Sequence, residues 1–110
     1  MEGQSMEDKI NPKILVLIPA YNEEQGIAAV ISEVKKYLPV LVVDDGSRDH
    51  TSSVAREAGA EVIRQEPNQG KGAALLNGFR YSLEGGYDAV IPLDADRQHD
   101  PGENPMFIKH

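Results

Sequence analysis

Apolar runs and polar stops alternate along the chain at a spacing that sets out its elements. Residues 13–18 are apolar after the first position and are closed by Pro19. A run so short and continuous reads as a strand buried on both faces. Asn22 is placed to cap a following helix, with Glu23 and Glu24 in its first turn. Ile27, Val30, Ile31, Val34 and Leu38 then recur at helical spacing until Pro39. Residues 40–43, Val-Leu-Val-Val, form a second buried strand ending in Asp44-Asp45-Gly46-Ser47. Asp49 or Thr51 caps a second helix carrying Val54, Ala55 and Ala58, which Gly59 ends. Residues 60–64 are a shorter, more polar strand, expected nearer an edge.

A polar loop over residues 65–72 precedes a third helix, with Ala73, Leu76, Phe79 and Leu83 on its apolar stripe and Gly85-Gly86 at its end. Residues 87–93 make a fourth strand that runs directly into Asp94-Ala95-Asp96. The order β-α-β-α-β-α-β with right-handed crossovers implies an α/β fold, a Rossmann-like parallel sheet with helices on both faces. A strand order of 3-2-1-4 puts the topological switch between strands 1 and 4. The polar ends at residues 19–23, 44–45 and 94–96 then open on one crevice.

Composition narrows the classes. The chain has 110 residues, enough for one small domain, with 40% hydrophobic and 26% charged residues. It has no cysteine, so disulfides and thiolate metal sites are excluded. A formal net charge of -7 argues against nucleic acid or an anionic lipid surface as the main partner, and suits a site that recruits a divalent cation. No apolar run reaches the roughly 20 residues of a bilayer span, and no signal peptide is visible, which fits a cytoplasmic location. Residues 1–12 are polar and unpatterned and read as a leader or tag remnant.

The candidate chemistry lies at the strand ends. Asp94 and Asp96 alternate along an extended segment and can converge on one cation. Hard oxygen ligands suit Mg2+ or Mn2+, which keep waters and bridge to phosphates. Gln98 can add an amide oxygen and His99 a nitrogen, though His99 reads more readily as a surface loop histidine. Asp44 and Asp45 either form an Asx turn with Gly46 or accept hydrogen bonds from a base or ribose. Gly70-Lys71-Gly72 opens the third helix, where backbone N–H groups and a cation can meet a diphosphate. The alternative for Lys71 is a solvated helix-start lysine. Tyr21 can pack a base or ribose, or simply pack as a half-buried ring. Neither the Walker A spacing nor the G-x-G-x-x-G fingerprint is present. Ser52 and Ser53 lack a His/Asp arrangement, and no residue stands out as a catalytic base.

Taken together, Ile18-Pro19-Ala20-Tyr21-Asn22-Glu23-Glu24, Val42-Val43-Asp44-Asp45-Gly46-Ser47-Arg48-Asp49-His50-Thr51, Asn68-Gln69-Gly70-Lys71-Gly72 and Asp94-Ala95-Asp96-Arg97-Gln98-His99-Asp100-Pro101 resemble glycosyltransferase family 2, whose catalytic domain has the GT-A fold. The likeness is greatest to the polyprenyl-phosphate mannosyl- and glucosyltransferase branch, dolichyl-phosphate mannose synthase among them. It implies transfer of a sugar from a UDP- or GDP-sugar, with Mg2+ or Mn2+ on the diphosphate and a polyprenyl phosphate or other glycan or lipid as acceptor. By that resemblance Pro19, Ala20, Tyr21 and Glu23 line the nucleotide pocket, and Asp45, with Asp44, contacts the base. Lys71 lies near the phosphates. Asp94, Ala95 and Asp96 form the metal–diphosphate clamp, and Gln98 matches a further metal ligand. Residues 13–110 are then the nucleotide-sugar-binding part, with the C-terminal acceptor part absent. The full-length protein would work at the cytoplasmic face of a membrane, and exposed sheet edges would favour a homodimer. Two rivals are a non-catalytic nucleotide-sugar-binding or regulatory module on the same fold, and a receiver-like phosphoacceptor domain.

Overall fold

The computed structural model describes residues 12–95. In chain order the elements are β1 (Ile14–Ala20), α1 (Ile27–Lys35), β2 (Val40–Asp44), α2 (Thr51–Glu57), β3 (Glu61–Arg64), α3 (Lys71–Glu84) and β4 (Ala89–Pro92). The strands form one parallel sheet in the order β3-β2-β1-β4, as the pattern of runs predicts. That order excludes the receiver-like reading, because receiver domains are wound 2-1-3-4-5.

Strand alternation divides the core into two layers. Val16, Ile18, Val40 and Val42 point to the face covered by α1 and α2, where Ile27, Ile31 and Ala55 pack. Leu15, Leu17, Leu41 and Val43 point to the other face, which meets Ala74 of α3. The central strands β1 and β2 are buried almost throughout, which is why they read as unbroken apolar runs. β3 and β4 are the edges. Their middle residues are half-buried and their ends exposed, so β4 is less buried than its apolar sequence suggests.

Two local readings are corrected. Asn22 does not cap a helix: it sits at φ 54 in the left-handed region, and α1 starts later, at Ile27. The intervening loop is stitched to the loop after β2 instead. The Asn22 N–H donates to Ser47 Oγ at 2.7 Å, Arg48 N–H donates to Asn22 Oδ1 at 2.8 Å, and Glu23 N–H donates to Thr51 Oγ1 at 2.9 Å. These cross-links hold the segment out of helical geometry. Nor is α2 capped by Asp49 or Thr51: its N-cap is His50, which makes no side-chain cap bond, while Asp49, one residue earlier, accepts the Thr51 N–H at 3.0 Å.

The second correction concerns α3. The stripe Ala73, Leu76, Phe79 and Leu83 does not face the sheet. Leu76 is 57% exposed and Leu83 76%. The buried positions are Ala74, Gly78 and Ser82, with Leu75 and Tyr81 packed partly against the core. The cause is a close approach between helix and sheet: a Cβ on Gly78 would lie 2.3 Å from Leu17 Cδ1, and Leu17 is fully buried. Small residues win the inner face because the helix lies too near β1 for large ones.

Gly78→Ala should therefore destabilise the fold by about 1–3 kcal/mol, the usual cost of overpacking. Gly72→Ala, on the same helix but with open space at the added methyl, should be neutral or stabilising by up to about 1 kcal/mol. Urea unfolding midpoints of the two variants compare these directly, and equal midpoints would sink the close-approach account.

Candidate functional site

A cavity of about 320 Å³ opens at the carboxyl edge of the sheet, between the ends of β1, β2 and β4. The end of β1 and the loop after it contribute Pro19, Ala20, Tyr21 and Glu23. Asp45 comes from the residue after β2, Asn68 and Gly70 from the loop before α3, Lys71 and Ala74 from α3 itself, and Asp94 and Ala95 from the residues after β4. This is the switch point of the sheet, where β1 is flanked by strands that wind in opposite directions. Backbone bonds continue the ladder past the strands and hold these ends in place. Asp45 N–H donates to Ala20 O at 2.8 Å and Leu93 N–H to Leu17 O at 2.9 Å.

Adjacent acids take different duties. Asp44 is fully buried and does not line the cavity. Its Oδ1 accepts the Ser47 N–H at 2.9 Å, and its Oδ2 accepts from Ser52 Oγ and from Arg64 at 3.1 Å. Arg64 also donates to Ser47 O at 2.8 Å, so the ion pair and the turn after β2 form one unit. Asp44 thus follows the Asx-turn reading, and the structure does not bring it to the cavity.

Asp45 does reach the cavity, although its residue is only 5% exposed. Oδ1 accepts from Gln65 Nε2 at 2.8 Å and from Gln69 N–H at 2.6 Å, and Oδ2 accepts from Gly70 N–H at 2.9 Å. Asn68 Nδ2 donates to Asp45 O at 3.0 Å, and Asn77 of α3 donates to Gln65. Gly46, at φ 73, permits the two loops to meet: a Cβ there would lie 3.0 Å from Asn68 N. Burial pushes the Asp45 carboxyl up, but the Gln65 amide and the Gln69 and Gly70 N–H groups outweigh it and leave it below the ordinary aspartate range.

The loop so fixed aims the N-terminus of α3 into the cavity. Lys71, its first residue, places Nζ 2.7 Å from Asp94 Oδ1. Tyr21 is 43% exposed at the rim, so its ring can be reached by a ligand. Asp96 and Gln98, with His99, lie outside the described residues. Asn68 and Ala74 are cavity residues that the strand-end logic passes over. Asn68 stood in the motif before Lys71 but carried no role, and Ala74 reaches the cavity only because the first turn of α3 is turned toward it.

Among the described residues no three His, Cys, Asp or Glu side chains cluster as a metal site. Asp94 is nevertheless suited to a hard cation, with its carboxylate 41% exposed and facing a cavity wide enough for further oxygen ligands. Mg2+ and Mn2+ need one or two carboxylates when phosphate and water complete the set.

The lowered pKa of Asp45 makes stability depend on pH. A carboxyl lower in the folded than in the unfolded chain contributes in full above the unfolded value of about 3.9, and the contribution is lost as pH falls through the folded value. Asp49 behaves alike: burial raises it, but the Thr51 hydroxyl and the Thr51 and Glu24 N–H groups outweigh that and leave it below the ordinary range. Urea unfolding from neutral pH downward should show Asp45→Asn less stable at pH 7 and less sensitive to acid than the parent. Parallel pH profiles would show that Asp45 is not held ionised by this network.

The family model for glycosyl transferase family 2 matches residues 15–110. The chain is 35% identical over 105 residues to an undecaprenyl-phosphate mannosyltransferase of Micrococcus luteus, a match covering 88% of this chain and 43% of that protein. It is 37% identical over 100 residues to the polyprenol monophosphomannose synthase of Mycolicibacterium smegmatis, covering 83% of this chain and 38% of that one. The crystal structure of glucosyl-3-phosphoglycerate synthase from Mycobacterium tuberculosis, in complex with Mn2+, UDP and glucosyl-3-phosphoglycerate, superimposes with a TM-score of 0.67 and 30% identity, covering 87% of this chain and 38% of that one. The chain thus spans less than half the length of these relatives. With the sheet order, the cavity and the matched residues in agreement, the chain belongs to glycosyltransferase family 2.

Proposed function

We propose that the cavity is the donor site of a glycosyltransferase, taking a UDP- or GDP-sugar for transfer to a polyprenyl phosphate. The observation that carries this reading is the convergence of Lys71, the α3 N-terminus and Asp94 at the switch point, beside the exposed ring of Tyr21. A diphosphate fits the cationic end of this arrangement, because helix N-termini and lysine both favour anions. A base or ribose fits between Tyr21, Pro19 and Ala20, where the β1 end offers apolar surface. Asp45 presents a carboxylate edge at that end, with its loop bonds already made.

Asp94 is the described carboxylate suited to hold Mg2+ or Mn2+ at the diphosphate, with Asp96 and Gln98 proposed as its further ligands. The bound ion would stabilise the charge that grows on the departing nucleoside diphosphate. Lys71 and the first-turn N–H groups of α3 add to that stabilisation from the protein side. A phosphate acceptor arrives already anionic and needs no strong general base. Relatives bearing the names of polyprenyl-phosphate mannosyl transfer support a lipid-phosphate acceptor. The neighbour crystallised with Mn2+ and UDP supports the donor and metal classes. Such an acceptor would place the full-length protein at the cytoplasmic face of a membrane, although no helix among the described residues is long and apolar enough to cross one.

Isothermal titration calorimetry with UDP and GDP, each with Mn2+ or with EDTA, tests the donor reading. One nucleotide should bind in the presence of Mn2+, and Asp94→Ala should weaken that binding by about tenfold or more, the scale of one lost charge-assisted contact. Binding that is indifferent to both Mn2+ and Asp94 would remove the metal from the proposal.

A further inference from the structure

We infer that Lys71 is the resident counter-cation of Asp94 and couples metal entry to nucleotide entry. This rests on the donor reading above and goes beyond it in assigning one side chain two mutually exclusive partners. The geometry is direct: Nζ of Lys71 lies 2.7 Å from Asp94 Oδ1, closer than a divalent ion on that oxygen would tolerate for an ammonium. Lys71 and a cation therefore compete for that oxygen, and a cation on the other carboxylate oxygen would still repel the ammonium at short range.

The surroundings explain why the lysine stays near this carboxylate. The described cavity lining carries the acids Glu23, Asp45 and Asp94, with Lys71 as the basic side chain among them. Asp45 fixes Gln69 and Gly70, the two residues before Lys71, through their N–H groups. The backbone of Lys71 is thus anchored at the edge of the cavity that its side chain lines. The pair is also easy to open. Its side chains are 63% and 41% exposed, and ion pairs so exposed are weak.

A nucleoside diphosphate offers Lys71 a second anionic partner within the same cavity. Moving Nζ to the phosphate releases Asp94 for the metal, and the metal in turn repels Nζ toward the phosphate. Each ligand then favours the other beyond their direct contact, and the effect is reciprocal. Lys71 acts here as a positioning and gating residue, and the reaction itself is not needed to observe it.

The test is Mn2+ binding without nucleotide, followed by electron paramagnetic resonance of the free ion at low ionic strength. Lys71→Gln should tighten Mn2+ binding by about two- to fivefold, the range an exposed ion pair allows. It should also weaken metal-free UDP or GDP binding and shrink the increase in Mn2+ affinity that nucleotide produces. Lys71→Arg keeps the charge and should match the parent. Lys36→Gln removes an equal charge at a surface pair with Glu33, away from the cavity, and should leave Mn2+ affinity unchanged. Unaltered or weaker Mn2+ binding in Lys71→Gln overturns the inference, as does an equal gain in Lys36→Gln. If the parent binds neither nucleotide with Mn2+ present, the donor reading fails and takes this inference with it. If it binds one and Lys71→Gln leaves metal affinity alone, only the coupling fails.

Discussion

Asp45 carries a charge in a place where water scarcely reaches, and the cavity is shaped by how that charge is satisfied. A buried carboxylate is tolerable only with several donors around it. Here they come from the loop between β3 and α3: the Gln65 amide and the N–H groups of Gln69 and Gly70. The same bonds that stabilise the anion dictate where that loop runs. Because Gly70 immediately precedes α3, they also dictate where the helix begins and which way its N-terminus points. Asn77 on α3 bonds Gln65 in turn, so the helix is tied back to the carboxylate it helps to orient. Loss of this one charge would unfasten the wall of the cavity rather than a single contact in it.

The neighbouring acid shows how little a residue type says by itself. Asp44 and Asp45 are adjacent and chemically identical, yet Asp44 is consumed by Ser47, Ser52 and Arg64 while Asp45 faces the cavity. Side chains of an extended segment alternate in direction, so consecutive acids at a strand end cannot serve the same site. The Asp44 network still matters to the site at one remove. It braces the turn whose Ser47 hydroxyl holds Asn22, and Asn22 sits in the loop that presents Tyr21 and Glu23.

The strands and their order were legible because β1 and β2 are buried on both faces, and double burial leaves a continuous apolar run whose shortness and flanking prolines separate it from a buried helix. Topology then placed the polar ends of β1, β2 and β4 together without any side-chain knowledge. What was not legible depended on contacts between distant segments. The inner face of α3 belongs to Ala74, Gly78 and Ser82 because Leu17 leaves no room, and no periodicity in α3 alone can report on Leu17. Asn22 has the composition of a cap and is diverted by Ser47 and Arg48, residues more than 20 positions away. The loop residues Gln65 and Asn68 looked like ordinary polar linkers. Their part in the site exists only once Asp45 is folded against them.

A site for an anionic ligand would be expected to be basic, and this one is not. Glu23, Asp45 and Asp94 line it alongside Lys71, in a chain whose formal net charge is already -7. A diphosphate entering alone would meet Lys71 and the α3 N-terminus, but also the field of those carboxylates. On the donor reading proposed above, the same carboxylates would draw a divalent cation, and a cation held at Asp94 would reverse the local sign beside the phosphates. An acidic lining would then select for the metal-bearing nucleotide against the bare one, and against other small anions that carry no metal. On this view the excess of acid is the means of discrimination. The lysine keeps the unliganded site from standing as an uncompensated cluster of negative charge.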